Sequence, residues 1–566
     1  MHITSKKNRL QKAIYFIEQA QLMKAEKLLS QILINDSLNF DALYLKGVVC
    51  GMQSRHEDCK SYLLKALSIN PNHAFLRFNL AKAMSELGED GLALEHHQYA
   101  VGWMPKNYQA WLNFGKSLHC LEQFNDALNC ADKAIELKND SGEAYTNRGL
   151  SLKELHNFQE ALVSFDKAIE LNSAIAEAHL NRGVVLHEFG LYDEALSSYQ
   201  KAIEIKSEYP DAYNNKGLVL VELKRLEEAL MSYLKAIELR PNYDGYYFNY
   251  SFALLLHGEL EKGFALFEYR WKADRNLLNF KSNYSQPLWL GKQSILNKTI
   301  LLWSEQGLGD TIQFCRYTKL IKSLGARVLL QVPKKIVALL DGLDGVDLVV
   351  ENDKTLSNFE YQCPLISLPL ALNTTIESIP RSIPYINIDI SRQNLWRECL
   401  GNSGFKIAIC WQGSTQGKVD IGRSFPVSLF EGIAKINGVR LISLQKNEGI
   451  EQLKSLPAGM KVELLPDDFD SGDNAFLDSA AVLKCVDLVI TSDTALTHLS
   501  GALGVKTWLP LQYVPDWRWM LDRSDSPWYP NHRLFRQKTR GDWTGVFKEM
   551  ENELKALVST KHNKSI

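Results

Sequence analysis

One interval, 34 residues, governs the first half of the chain. Gly115, Gly149, Gly183 and Gly217 recur at it, as do Ala127, Ala161, Ala195 and Ala229, and again Ala134, Ala168, Ala202 and Ala236. Bulky residues keep the same register, with Trp111, Tyr145, His179 and Tyr213 at one site and Phe165, Tyr199 and Tyr233 at another. Small residues are needed where two helices cross closely, and large ones where the gap between them must be filled. A unit this short cannot bury its own apolar face, so successive copies must stack on one another.

The interval is that of the tetratricopeptide repeat, a pair of antiparallel helices. The register extends backward through Ala81, Ala93 and Ala100 to Gly47 and Ala66, and weakly to a first repeat at 6–39. It extends forward into YYFNYSFALLLHGELEKGFALFEYRWK, where Gly263 takes an alanine position. About seven repeats and a capping unit therefore fit 1–275 as an α-solenoid. Asn113, Asn147, Arg148, Asn181, Arg182, Asn214, Asn215 and Lys216 recur near the glycine position. They read either as a solvated helix face or as an asparagine ladder gripping the backbone of a partner.

After Arg275 the period changes. A loop at 276–296 leads to short apolar runs, KTILLW, ARVLLQV, VDLVVEN and CPLISLP, the first three separated by helical segments. IPRSIPYINIDI then reads as a hinge. A second series follows, with strands expected in KIAICWQG, VRLISLQK, KVELLP, DLVITSD and KTWLPL and helices between them. Strands alternating with amphipathic helices make parallel sheets, here two Rossmann-like lobes at 297–390 and 391–560. Ligands of such sheets bind beyond the carboxyl ends of the strands, and between two lobes that means the cleft.

With 566 residues the chain exceeds what one hydrophobic core can organise. A hydrophobic fraction of 45%, a charged fraction of 23% and a net charge of -2 describe an ordinary globular protein, with no basic excess that would draw nucleic acid. No apolar run approaches a membrane span, and the N-terminal segment lacks the apolar core of a signal peptide. The nine cysteines are scattered, with no C-x-x-C pair, which points to reduced thiols in a cytoplasmic protein without a zinc site.

Four segments could carry chemistry. In WSEQGLGDTIQF, Gly307 and Gly309 permit a tight turn and Asp310 opens a helix, either as a cap or as a general base facing the cleft. In DLVITSDTALTHLSGALG, a buried strand delivers Ser492, Asp493 and Thr494 to a helix start, with His498 one turn along. The free amides there and the Thr494 hydroxyl suit a diphosphate, and Asp493 suits a sugar hydroxyl; the plain alternative is a capped helix with His498 packed. WQGSTQGKVDIGRSFP offers a flexible loop through Gly413, Ser414 and Gly417, followed by the fixed cation Arg423. SLQKNEG brings Gln445 and Lys446 to another strand end.

Together with the tail DWRWMLDRSDSPWYPNHRLFRQ, these segments resemble glycosyltransferase family 9, the heptosyltransferase-like enzymes, and in particular a branch preceded by tetratricopeptide repeats. The resemblance runs from Trp289 to Val558. It implies a GT-B fold and inverting transfer from a nucleotide-sugar donor, with no cofactor and no obligatory metal. By position it makes Asp310 the base and Arg423 the cation that neutralises the leaving diphosphate, Arg standing where the family has Lys. Ser492 to His498 aligns with the family's donor-binding element, Ala495 replacing its usual glycine. By analogy with other transferases fused to repeats, the acceptor is a protein or peptide docked on the superhelix, a flagellin-like protein being one such analogue. The competing expectations are a scaffold with an inactive transferase-like domain and, more distantly, nucleotide-sugar epimerase chemistry.

Overall fold

The computed structural model describes residues 2–273 and 284–564, except 353, 355, 416–419, 421, 473 and 474. It divides into two compact units, Met1–Val219 and Leu220–Ile566.

The first unit is a run of helix pairs: His2–Glu18 with Leu22–Asn35, Phe40–Met52 with His56–Ile69, Ala74–Glu86 with Asp90–Trp103, Tyr108–Cys120 with Phe124–Leu137, Gly142–Glu154 with Phe158–Leu171, and Ala176–Glu188 with Tyr192–Ile205. The residue before each first helix falls on the same 34-residue register, and its side chain caps the helix at Asn39, His73, Asn107 and Ser141. The small positions are closed to solvent: Ala127, Ala161 and Ala195, with Ala134, Ala168 and Ala202, are at most 1% exposed. A Cβ on Gly149 would lie 2.6 Å from the Phe165 ring, and one on Gly183 would lie 2.6 Å from the Tyr199 ring.

Polar rivets repeat as well. Arg148 donates to Asp132 Oδ1 at 2.9 Å and to Ser164 Oγ at 2.8 Å; one repeat later Arg182 donates to Asp166 Oδ1 at 2.6 Å and to Ser198 Oγ at 2.8 Å. The asparagines are drawn inward. Asn147 is 8% exposed and donates to the Leu112 carbonyl, while Asn181 donates to the Glu177 carbonyl and accepts from Lys153. At these two positions a ladder of free amides does not form, because the amides complete contacts within the array.

Helices continue through Leu226–Leu239, Asp244–His257, Leu260–Phe267 and Arg270–Ala273, and these belong to the second unit, after Pro210–Glu222 has run across the division. The described helical run ends at Ala273, whereas the division in packing falls earlier, after Val219. Phe264 meets the Trp517 ring edge-on at 5.5 Å, and Trp271 joins Leu301, Trp303, Leu329 and Phe359 in one apolar cluster. Part of the expected linker, 276–283, lies outside the described residues. The rest is fastened to the first sheet, with Trp289 2% exposed and its N–H donated to the Gln362 carbonyl at 2.8 Å.

Two parallel sheets follow. The first contains β1 (Thr299–Trp303), β2 (Arg327–Val332), β3 (Leu348–Glu351) and β4 (Tyr361–Pro364) in the order β3-β2-β1-β4. The second contains β5 (Phe405–Cys410), β6 (Val439–Ser443), β7 (Leu488–Thr491), β8 (Thr507–Leu511) and β9 (His532–Arg536) in the order β6-β5-β7-β8-β9. These are the two Rossmann-like lobes. The strand expected through CPLISLP ends at Pro364 and turns into Leu368–Ala371, where Pro369 sits in the first helical turn and loses no hydrogen bond. KVELLP supplies only one bridging residue, Glu463, beside β6. The strand β9 and the last helix, Trp543–Lys564, arise from the tail. Val546, Phe547, Met550, Leu554 and Val558 recur at helical spacing and bury against Ile407, Phe430 and Leu441 of the second lobe.

Candidate functional site

The buried strand β7 ends at Thr491, and Ser492 to Thr494 carry the chain into the helix Ala495–Ala502. The glycine loop after β1 feeds the helix Leu308–Phe314 in the same way. These two helices, one from each lobe, touch at Gly309. A Cβ there would stand 2.8 Å from His498 Cδ2 and 3.3 Å from Ala495 Cα. Two motifs far apart in sequence therefore meet, and the second glycine is required by a neighbouring helix as much as by its own turn.

Asp310 is held at both oxygens. Its Oδ2 accepts the Gly307 N–H at 2.9 Å, and its Oδ1 accepts from Arg518 at 2.5 Å. Both the helix-end role and a charged role are thus present in one side chain. Burial raises its pKa above the usual carboxylate value, and Arg518 opposes the rise. Arg518 also donates to Gln313 Oε1 at 2.6 Å and to Asp516 Oδ1 at 2.9 Å, so its fork is divided among three partners. Burial disfavours its charge, but Asp516 and Asp310 outweigh that and raise its pKa.

Asp493 lies in the same cluster. Its Oδ2 accepts the Trp519 indole N–H at 2.8 Å. Burial first, then the charge of Asp516, push its pKa up to about 7, against the opposing pull of the Trp519 hydrogen bond, Arg518 and Arg423. Beside it the Ser492 hydroxyl is buried without a hydrogen-bond partner among the described residues. His498 is 6% exposed, contacts the Tyr529 hydroxyl through Nδ1 at 3.0 Å and stacks on Trp519. Burial, with Arg518, His532 and Arg316 nearby, holds its pKa well below the usual histidine value, so it is a neutral packed ring.

A cleft of about 700 Å³ opens beside this cluster at the carboxyl ends of β5, β6 and β7. Gly413, Ser414, Gln445, Lys446 and Thr494 line it from the second lobe, with Leu308 and Lys335 from the first. Two of these side chains are braces. Gln445 Oε1 accepts the Trp411 and Gln412 N–H groups, each at 3.0 Å, and its Nε2 donates to the Gln412 and Glu448 carbonyls. Lys446 donates to the carbonyls of Phe469 and Asp470. Gln445 therefore contributes shape to the cleft more than free hydrogen-bonding groups. Arg423 lies flat on Gly413, where a Cβ would meet its guanidinium at 2.9 Å, and it is paired with Asp420 at 3.4 Å. Gly417 lies outside the described residues.

The expected hinge crosses this region as a packed strap. Tyr385 donates its N–H to the Ala502 carbonyl and its hydroxyl to the Ile312 carbonyl, each at 3.0 Å, and so touches both helices that meet at Gly309. Arg316 adds a bond to the Trp528 carbonyl at 2.6 Å.

Several residues of this site carried no signal in the first series of motifs. Arg518, Trp519 and Asp516 stood in the tail without an assigned role. Arg270 and Glu305 are fully buried partners: Arg270 closes the last short helix of the array onto the loop that carries Asp310, at 2.9 and 2.7 Å, and reaches Glu268 at 2.6 Å and Ser367 at 2.8 Å.

Residues 40–73, 142–174 and 174–242 match models of the tetratricopeptide repeat. Protein FlbA of Caulobacter vibrioides is 25% identical over 312 residues, 50% of this chain and 51% of its own. Human tetratricopeptide repeat protein 7A is 27% identical over 132 residues, 23% of this chain and 15% of its own. The chain thus spans about half the length of the first of these curated relatives and less of the second. Among solved structures, a tetratricopeptide repeat protein from Parabacteroides merdae is 19% identical with a TM-score of 0.37, covering 44% of this chain and 99% of its own. YrrB is 27% identical with a TM-score of 0.27, covering 32% of this chain and 93% of its own. Among the described residues no helix is long and apolar enough to cross a membrane.

Proposed function

We propose that the chain is a glycosyltransferase of the family 9 type, transferring a sugar from a nucleotide-sugar donor to a protein or peptide docked on the repeats. The observation that carries this reading is the cleft of about 700 Å³ lined from both lobes at the strand carboxyl ends, a volume in the range of small-molecule sites. The start of Ala495–Ala502, with its free amides, presents positive potential to a diphosphate. Arg423, laid against Gly413 of the cleft wall, adds a fixed charge that stabilises the leaving group as it forms. The resemblance assigns proton transfer to Asp310, which the Gly307 N–H and Arg518 hold at the start of Leu308–Phe314. The repeat array supplies an extended surface of the kind that stacked helices offer to a peptide or protein.

The test is a panel of nucleotide sugars offered to the purified full chain, with thermal stabilisation and nucleoside diphosphate release as readouts. Mass spectrometry of candidate acceptor proteins from cells with and without the gene locates the product. A donor that raises the melting temperature and is turned over supports the reading. No response to any donor, together with a cellular phenotype that survives Arg423→Ala but not deletion of repeats, replaces it with a docking scaffold.

A further inference from the structure

Trp517, Arg518 and Trp519 form a single 3₁₀ turn after Asp516, whose side chain accepts the Arg518 N–H at 3.0 Å and so starts the turn. With three residues to a turn, successive side chains point about 120° apart, and three neighbours in sequence reach three different places. Trp517 is 4% exposed and meets Phe264, in the helix Leu260–Phe267, edge-on at 5.5 Å. Arg518 reaches the first lobe at Asp310 and Gln313. Trp519 stays in the second lobe, against Asp493 and the His498 ring.

Contacts run without a gap from these helices to the carboxylate. Phe264 packs on Trp517, the Arg518 guanidinium lies 4.4 Å from the centre of the Trp517 ring, and its Nη2 donates to Asp310 Oδ1 at 2.5 Å. The same helix pair approaches the tail again at Gly258, in the turn between Asp244–His257 and Leu260–Phe267, where a Cβ would stand 3.5 Å from Met520 Cε. Asp310 keeps 19% of its side-chain surface exposed, and Leu308, two residues before it, lines the cleft. A carboxylate that accepts two hydrogen bonds retains lone pairs for a third, so an acceptor hydroxyl can still donate to it. The charged groups around it are Arg518 and Asp516 of the tail and Glu305 of its own loop, which Arg270 pairs. The facing helix Ala495–Ala502 brings the neutral His498, and Arg316 in the following turn is occupied by the Trp528 carbonyl and the Tyr385 hydroxyl.

We propose, resting on the transferase reading above, that Arg518 is the positioning residue of Asp310, and that the seat of Trp517 on Phe264 makes the helix pair Asp244–His257 and Leu260–Phe267 part of the catalytic geometry. In the transfer Asp310 takes the acceptor O–H proton as the acceptor oxygen bonds to the anomeric carbon. The bond from that carbon to the diphosphate breaks, and the nucleoside diphosphate leaves with the electron pair. The proton on Asp310 then passes to water. Burial works against an ionised carboxylate at this position, and the Arg518 charge offsets it. Asp516 draws on the same guanidinium, which keeps Asp310 from becoming too weak a base.

The experiment records nucleoside diphosphate release by the full chain across pH with UDP-, GDP- and ADP-sugars, and donor affinity separately, for wild type, Asp310→Asn, Arg518→Met, Arg518→Lys, Phe264→Ala and Gly183→Ala. Asp310→Asn is expected to abolish the acidic limb of the profile. Arg518→Met removes the charge that favours the ionised carboxylate, so the limb is expected to move to higher pH by about one to three units, with donor affinity little changed. Arg518→Lys keeps the charge without the fork; the limb is expected to stay near its wild-type position while kcat falls. Phe264→Ala loosens the seat of Trp517 and is expected to move the limb in the same direction as Arg518→Met, by less, with Phe264→Leu recovering part of the shift. Gly183→Ala, which disturbs a helix pair of the first unit, is expected to lower the melting temperature and leave the limb in place. A limb unmoved in Arg518→Met, or surviving in Asp310→Asn, overturns the role of Arg518 while the transferase reading stands; if Arg518→Met does not fold, a limb displaced in Arg518→Lys as far as in Phe264→Ala overturns it. A limb unmoved in Phe264→Ala, or moved equally in Gly183→Ala, overturns the part given to the helix pair. A wild-type protein inert towards all donors overturns the transferase reading itself.

Discussion

Arg270 and Glu305, neither with any exposed side-chain surface, meet through two hydrogen bonds of 2.7 and 2.9 Å. One residue lies in the last short helix, Arg270–Ala273, and the other in the loop that carries Asp310, so within the second unit that helix is tied to the first lobe by a paired charge. Burial raises the Glu305 pKa and Arg270 opposes that rise; both carboxylate oxygens are occupied by the guanidinium. Arg270→Leu strands a buried carboxylate and is expected to destabilise the second unit by about 3–5 kcal/mol, read from denaturant unfolding of the full chain. Arg270→Leu combined with Glu305→Leu is expected to recover part of that loss. A single mutant as stable as wild type would show that the pair is not closed in solution.

Gly309→Ala brings a methyl group to 2.8 Å from His498, a ring that is itself buried and stacked on Trp519. The expected loss is about 1–3 kcal/mol, with weakened donor response, because the two helices that meet there must separate. Thermal melting with and without donor checks it. Gly307→Ala, whose Cβ meets nothing nearer than the Asp310 carboxylate at 3.1 Å, is expected to be milder.

Within the repeats, Gly183→Ala places a methyl group 2.6 Å from the ring of Tyr199, which is fully buried and cannot swing away. Overpacking of this kind costs about 1–3 kcal/mol. Helical circular dichroism against denaturant should show an earlier transition, and Gly183→Ala combined with Tyr199→Leu should restore part of the midpoint.

Asp493 gives stability an unusual pH dependence. In the unfolded chain its carboxyl loses a proton near 3.8, and in the folded chain near 7. Between those values the folded state holds the extra proton, so this residue's contribution is fullest below pH 3.8 and declines as pH rises through about 7. Asp493→Asn is expected to remove that decline. Melting temperatures of both proteins across the window check it; parallel curves would contradict it.

What the sequence could and could not foretell follows from the range of the interactions. Gly149 against Phe165 and Gly183 against Tyr199 are neighbours within one helix pair, and a packing rule repeated every 34 residues writes itself into the spacing. Most strands were legible as short apolar runs between turns; KVELLP, where a single residue, Glu463, does the pairing, and β9, whose HRLFR alternates with charge, were not. The asparagines misled because the periodicity of a polar residue does not reveal whether it points out of a groove or, as with Asn147, into a carbonyl of the preceding repeat. Arg518 with Asp310, and Arg270 with Glu305, are joined only by the folded path of the chain, so no spacing announces them. The strand-end segments around Gly413, Gln445 and Thr494 line one cleft, whereas the partners that occupy the oxygens of Asp310 come from Gly307 and from Arg518 far along the chain.

The rivets around Arg148 and Arg182 have a genetic consequence. Each arginine binds an aspartate on the helix before it and a serine on the helix after it, and the two sets are superposable one repeat apart. Recombination that removes one in-frame unit between them joins Arg148 to Ser198, and one that adds a unit creates another identical joint. Array length can therefore drift by whole repeats during descent without leaving an unpaired charge, whereas the joint at Arg270 and Glu305 occurs once and must be inherited intact.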